Sequence, residues 1–98
     1  MRVKIIGLSV LEANVLLIVW DKGNITTREV HEVFLKKEIK EKDGNFIPYT
    51  TILSTLNSLV GKNILNINKS QKTFVYSAAL DNKEIAKSII MAVAEKLL

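Results

Sequence analysis

Apolar residues recur with helical spacing in four stretches of the chain, and a two-stranded hairpin pattern stands between the third and the fourth. The first stretch runs from Leu8 to about Trp20 and is apolar nearly all the way round, which predicts the central and most buried helix. Ser9, with Glu12 three residues later, forms a capping box at its start. The turn-forming residues Asp21–Asn24 end this helix.

A second capping box, Thr26 with Glu29, starts the next helix. This helix should turn three apolar side chains inward: Val30, Val33 and Phe34. Trp20 and Phe34 are therefore expected in the core. The mixed-charge stretch Lys36–Asp43 is interpreted as a solvated helix end, and Gly44–Pro48 as a loop.

The third helix begins near Tyr49 and has two contrasting sides. The apolar side spans about 120° and holds Ile52, Leu53, Leu56, Leu59 and Val60. The other side holds Thr50, Thr51, Ser54, Asn57 and Ser58, with Thr55 at its edge. Helix surfaces usually favour Lys and Glu, whereas hydroxyls and amides can bond phosphates and base edges. We interpret this polar side as a nucleic-acid contact; a plain solvated or protein-binding surface is the alternative.

Ile64–Asn68 and Thr73–Ser77 form the predicted hairpin, with a tip that carries Lys69 and Lys72. A last helix starts at Asp81 or Asn82 and runs to the end of the sequence. Its apolar residues form two rows, more than packing on one small domain requires, which predicts a dimer interface. The residues expected there are Ile85, Ile89, Ile90, Val93 and Leu97.

The net charge of +4 is unevenly distributed. Residues 1–43 hold eight basic and seven acidic groups, and residues 81–98 hold three of each. Residues 44–80 hold Lys62, Lys69 and Lys72 and no acid. The helix and hairpin of this stretch could therefore approach a polyanion without repulsion.

Several classes of function have no support in the sequence. The chain has no cysteine, and its single histidine, His31, has no converging ligands, so we expect neither a metal site nor a cofactor. No nucleophile, phosphate-loop or paired-carboxylate motif appears, which argues against an enzyme. No apolar run approaches the length of a membrane span, so we expect a soluble, cytoplasmic protein. No small-molecule ligand is evident from the sequence. The segment Val3–Ile6 could be a short strand or an extended arm.

The order of helix, turn, helix, helix, hairpin and helix predicts an α+β, mainly helical fold. This is a winged helix-turn-helix: a three-helix core with a β-hairpin wing, here followed by a C-terminal dimerisation helix. We assign residues 1–80 to the winged-helix domain and residues 81–98 to the dimerisation helix of the same compact unit.

The chain resembles the penicillinase-repressor family of winged-helix transcriptional regulators (the BlaI/MecI/CopY type). The matching motifs are "LSxxE…V…VWDKG" over residues 8–23, Thr27–Val30, Tyr49–Ile52 and Thr73–Tyr76, with Leu56, Leu59 and Lys62 between the last two. The resemblance implies homodimeric binding to double-stranded operator DNA and repression of nearby genes. The chain departs from the family at Ser58, where an arginine is usual, and at the wing tip, which lacks a Gly-Arg pair. Readout should therefore rest on hydroxyls, methyl contacts and DNA shape.

The expected function is that of a sequence-specific DNA-binding regulator with the helix of residues 49–62 in the major groove and the wing of residues 64–77 on the backbone. The predicted DNA-contacting residues are Arg28, Tyr49, Thr50, Thr51, Ser54, Thr55, Ser58, Lys62, Lys69, Gln71 and Lys72. If the four basic residues of that set each neutralise one phosphate, a dimer makes about eight contacts and log K falls with log salt with a slope of roughly −7. The alternatives are a winged-helix protein-interaction module and an architectural DNA binder without sequence preference.

Overall fold

The computed structural model describes residues 8–81, 83 and 84. In them the chain forms α1 (Val10–Lys22), β1 (Asn24–Thr26), α2 (Thr27–Lys36), α3 (Tyr49–Gly61), β2 (Leu65–Asn68) and β3 (Val75–Ala78). Three helices packed beside a small antiparallel sheet, with a hairpin after the third helix, make a winged helix-turn-helix. The fold class predicted from the sequence is confirmed for this part of the chain.

Both predicted capping boxes are present. The Ser9 hydroxyl accepts a hydrogen bond from the Glu12 N–H at 3.0 Å, and the Glu12 carboxylate accepts one from the Ser9 N–H at 2.9 Å. Thr26 and Glu29 make the same pair of bonds at the start of α2, at 3.2 and 3.0 Å. Each box satisfies N–H groups that a helix start leaves without intrahelical partners, so the first two helices begin where the sequence predicts.

The sheet has one more strand than the sequence predicts. Its order is β1-β3-β2, with both pairs antiparallel, and Tyr76 lies opposite Ile25 on one side and Ile67 on the other. The interpretation of Asp21–Asn24 as a plain turn was incomplete, because Asn24 already belongs to β1. Three residues are too few to show an alternating pattern, and β1 is defined by pairing with β3, which lies about 50 positions later in the chain. The predicted hairpin is confirmed, although its strands begin one and two residues later than expected.

The core lies between α1, the inner side of α3 and the sheet. The largest fully buried side chains come from all three helices and both hairpin strands: Tyr76, Phe34, Leu16, Ile52, Leu56, Leu59, Leu65, Val15, Val19 and Val30. The central position of α1 is confirmed, although Val10 and Leu17 are exposed on it. Phe34 is in the core as predicted, whereas Trp20 is half-buried and packs against its edge.

The loop before α3 is folded tightly and fixes where that helix starts. α2 ends at Lys36, so residues 36–43 are not a continuing helix end; instead Lys40 pairs with Phe46 in an isolated bridge. Ile47 is buried, and its carbonyl accepts a hydrogen bond from Nε2 of His31 at 3.1 Å. The half-buried His31 therefore joins α2 to the residue that precedes the Pro48 N-cap of α3.

Some predictions fall outside the described residues. These are the Val3–Ile6 segment and the dimerisation side chains of Ile85–Leu97, so the assignment of residues 81–98 to a dimerisation helix stays a prediction. In the described residues, no helix has both the length and the apolar character needed to span a membrane.

Candidate nucleic-acid interface

α3 presents an exposed face of small polar groups. Its inner side buries Ile52, Leu56 and Leu59 completely, which confirms the sidedness predicted from the sequence. The outward positions are Thr50, Ser54, Asn57 and Ser58, with Tyr49 exposed at the start of the helix and Thr51 half-buried. None of these side chains carries a negative charge, so the face itself can enter a DNA groove without repelling phosphate.

Thr55 does not belong to this face. Only 8% of its surface is exposed, and its hydroxyl donates a hydrogen bond to the carbonyl of Thr51 at 2.7 Å. A hydroxyl bonded back to the preceding turn is satisfied within the helix. The sequence placed Thr55 at the edge of the polar side; the structure places it inside.

Asn57 connects α3 to the sheet. Tyr76 is fully buried in β3, and its hydroxyl donates to Oδ1 of Asn57 at 3.3 Å. A buried phenol normally requires a hydrogen-bond partner, and here the partner is on the outer part of α3. The orientation of the helix is thereby coupled to the base of the wing.

The end of α3 is bonded to Glu12 of α1. Both carboxylate oxygens of Glu12 lie close to Nζ of Lys62, at 2.9 and 3.1 Å, and Oε2 also accepts a hydrogen bond from the Ser58 hydroxyl at 3.0 Å. Only 8% of the surface of Glu12 is exposed, whereas the Lys62 side chain is 40% exposed. We call this arrangement of Ser9, Glu12, Ser58 and Lys62 the Glu12 cluster. It brings an acid from the first helix to a stretch that has none in the sequence.

The hydrogen bonds of the Glu12 cluster keep its carboxylate ionised. Burial by itself raises the pKa of Glu12, but the bonds from Lys62, the Ser9 N–H and the Ser58 hydroxyl, with the charge of Lys62, outweigh it. The pKa of Glu12 therefore lies below its ordinary value of 4.5. An anion held in this way stabilises the folded state whenever it is ionised.

This pKa shift predicts a pH-dependent stability that Glu12→Gln removes. A lowered folded-state pKa contributes stability above the ordinary value of 4.5 and loses it as pH falls through the lowered pKa. We expect Glu12→Gln to lower the free energy of unfolding by roughly 1–2 kcal/mol at neutral pH, because it removes a charge-assisted pair that is partly exposed on the lysine side. Urea unfolding at neutral pH and at about pH 3 should show the difference from wild type shrinking in acid. An equal difference at both pH values would contradict the assignment.

The sequence already explained Glu12 as a capping residue, which is why its second role was missed. A capping box uses one carboxylate oxygen and leaves the other able to accept bonds. Its partners, Ser58 and Lys62, are 46 and 50 residues away, beyond the reach of any spacing argument. The only sequence signal was the low exposure expected at the start of the most apolar helix.

The tip of the wing is basic and partly ordered by its own side chains. Oδ1 of Asn68 accepts bonds from the N–H and the hydroxyl of Ser70, at 2.9 and 2.6 Å, which shapes the turn. The Lys69 ammonium stands 5.5 Å from the centre of the Phe74 ring. Gln71 and Lys72 are exposed beyond them. This places two positive charges and an amide together at the end of the hairpin.

Arg28 lies in the first turn of α2 and is highly exposed. Its Nε is 3.4 Å from Oε1 of Glu32 one turn later, with side-chain exposures of 83% and 52%. An exposed pair of this kind contributes little stability, about 0–1 kcal/mol. Phosphate could therefore replace Glu32 as the partner of Arg28 at small cost.

The family of the chain follows from comparison with known protein families. The family model of the penicillinase repressor matches residues 8–98. The chain belongs to the penicillinase repressor family. It is thus a DNA-binding transcriptional regulator with a winged helix-turn-helix, and this family's members are repressors rather than enzymes. Comparison with curated proteins finds no match.

Two solved structures of BlaI are similar to this chain. The DNA-binding domain of the repressor BlaI is 28% identical, with a TM-score of 0.65, over 85% of this chain and 93% of that one. The monomeric form of Bacillus licheniformis BlaI in complex with the blaP half-operator is also 28% identical, with a TM-score of 0.62, over 83% and 90% of the two chains. RosR of H. salinarum, 16% identical with a TM-score of 0.60 over 94% and 76%, shares the fold.

Proposed function

We propose that this member of the penicillinase repressor family is a homodimeric repressor that binds operator DNA in the cytoplasm, with α3 in the major groove. The observation that carries the proposal is the exposed face of α3, which is polar and free of carboxylates along Thr50, Ser54 and Asn57. Hydroxyls can bond to base edges, and a threonine methyl can meet the methyl group of thymine. The similar BlaI structure is a complex with a half-operator, which supports operator binding by this chain.

The contacts divide into base readout and backbone positioning. We assign base readout to Thr50, Thr51, Ser54 and Ser58, and backbone contact to Arg28, Tyr49, Lys69, Gln71 and Lys72. Thr55 and Lys62 are removed from the set predicted by sequence, because the first is buried and the second is held by Glu12. Two protomers would read half-sites about one helical turn apart, joined through the predicted dimerisation residues of 85–97.

The proposal is tested by a mobility-shift titration of the full chain on the DNA upstream of its own gene, with unrelated DNA as competitor. A repressor of this kind should hold its site in the presence of excess competitor. Equal competition by any duplex would indicate an architectural binder, and absence of binding together with a co-purifying protein would indicate an interaction module. Either of these two results would contradict the proposal.

Salt dependence gives a quantitative expectation. With Arg28, Lys69 and Lys72 as the phosphate contacts of each protomer, a dimer makes about six, and log K should fall with log salt with a slope of roughly −5 rather than −7. Fluorescence anisotropy from low to physiological salt measures this slope. A response near zero would show that these side chains do not meet phosphate.

Lys72→Ala should weaken binding to specific and unrelated DNA by the same factor. Lys72 is exposed at the wing tip, and a phosphate contact carries no base information. The slope should become shallower by about 2 for a dimer, since each protomer loses one phosphate contact. A loss confined to the specific site would instead assign Lys72 to base readout.

A further inference from the structure

The Glu12 cluster lies at the end of the helix that the proposed function places in the groove. Its carboxylate contacts Nζ of Lys62 through both oxygens and accepts the Ser58 hydroxyl at 3.0 Å. Lys62 follows the last residue of α3 directly, and Ser58 lies one turn earlier on the outer face. Two groups that would otherwise contact DNA are thus engaged by a buried anion of α1.

We propose that Glu12 is a specificity-determining residue: it retains the charge of Lys62 within the protein and sets the hydrogen-bonding polarity of Ser58. The inference rests on the proposed function, since it concerns how α3 discriminates among DNA sequences. Lysine contacts to phosphate raise affinity for every sequence equally, so withholding one lowers the overall affinity and its salt dependence and leaves base readout unchanged. Discrimination among sequences then depends on Ser58, whose hydroxyl donates to Glu12.

Lys62 cannot exchange Glu12 for a phosphate without removing its positive charge from a largely buried carboxylate, which would then keep only the bonds from the Ser9 N–H and the Ser58 hydroxyl. Glu12 is largely removed from solvent, whereas a phosphate contact forms in the hydrated, salt-screened rim of the DNA. Phosphates of the duplex would also repel an unpaired Glu12. The pair therefore persists in the complex, and Lys62 adds little to the release of counterions.

Ser58 acquires a fixed polarity from the same contact. Its hydroxyl has one proton, and that proton is donated to Oε2 of Glu12. The oxygen can then only accept a bond on its DNA side. In the major groove the donors are the amino groups of cytosine and adenine, so Ser58 should favour those bases and reject the acceptor edge of guanine.

The test compares Glu12→Gln with a matched control, Glu29→Gln. Glu29 occupies the same third position of a capping box, on α2, and its loss changes the net charge equally. Glu12→Gln removes the anionic partner of Lys62, so its slope on unrelated duplex DNA should steepen from about −5 to about −7. The ratio of specific to non-specific affinity should fall, because Ser58 no longer donates to a carboxylate and loses its fixed polarity. Glu29→Gln should keep the slope near −5. Lys62→Gln added to Glu12→Gln should return the slope to about −5, because the positive charge of Lys62 is gone.

Circular dichroism first establishes that each variant is folded. An unchanged slope in folded Glu12→Gln would overturn the inference, and so would equal steepening in Glu29→Gln, which would assign the effect to net charge. Wild-type protein that binds no DNA would refute the proposed function itself, which is a distinct result.

A measurement on the wild-type chain avoids any variant. In a ¹H–¹⁵N correlation spectrum of the lysine ammonium groups, addition of unrelated duplex DNA should shift Lys69 and Lys72 and leave Lys62 at its free-protein position. Movement of Lys62 together with the two wing lysines would overturn the inference.

Discussion

Ser54→Glu is expected to abolish specific DNA binding while leaving the fold intact. Ser54 is exposed at the middle of α3, on the face opposite the buried Ile52, Leu56 and Leu59. A carboxylate there would meet the acceptor groups of the base edges and the field of the phosphates, with no donor to satisfy it. Loss of base contacts worth about 1–3 kcal/mol per pair, with added repulsion, corresponds to about 100-fold or more in affinity.

Anisotropy titration on the specific site measures this loss. Two further variants serve as controls for the added charge and for the lost hydroxyl. Asn24→Glu adds the same charge at an exposed position of β1, beside Ser77 at the base of the sheet, and should bind almost normally. Ser54→Ala removes the hydroxyl without adding charge and should cost far less than Ser54→Glu. Undiminished operator affinity in Ser54→Glu would show that another face of the protein contacts DNA.

Among the substitutions considered, Leu56→Ala is expected to lower the free energy of unfolding most, because it leaves a cavity in the core directly beneath the exposed polar face of α3. Leu56 has no exposed surface and belongs to the core cluster shared with α1 and the sheet. Truncating a fully buried leucine costs about 2–5 kcal/mol. The free energy of unfolding of a domain is only about 5–15 kcal/mol in total, so this substitution would remove a large share of it.

Leu53→Ala is the matched control, since the same side chain is removed from the same helix at a half-buried position. Urea unfolding should show a loss in Leu56→Ala at least twice that in Leu53→Ala, because the cost follows the contacts and cavity left behind. Equal losses would mean that α3 does not pack on the core by the side described here.

Features that depend on neighbours in the chain could be predicted from the sequence. The two capping boxes begin with Ser9 and Thr26 as expected, since each needs only residues three positions apart. The sidedness of α3 followed from its periodicity, because Ile52, Leu56 and Leu59 recur at helical spacing. The resemblance to penicillinase repressors rested on the order of such local motifs, and the family match confirms it.

Features that depend on distant pairing could not be predicted. β1 forms because β3 supplies bonds from across the fold, and three residues carry no pattern of their own. Thr55 was predicted at the edge of the polar face, but its side chain is buried against the core. Lys62 looked like a phosphate contact in an acid-free stretch, yet the fold brings Glu12 to it. The number of phosphate contacts proposed for each protomer therefore falls from four to three.

The central claim is that α3 reads DNA sequence through its exposed hydroxyl face, and selection from a random duplex library tests it most directly. The full chain, at physiological salt, should enrich one consensus made of two related half-sites about a helical turn apart, and Ser54→Glu should enrich none. Selection without a consensus by folded wild-type protein, or the same consensus from Ser54→Glu, would contradict the account.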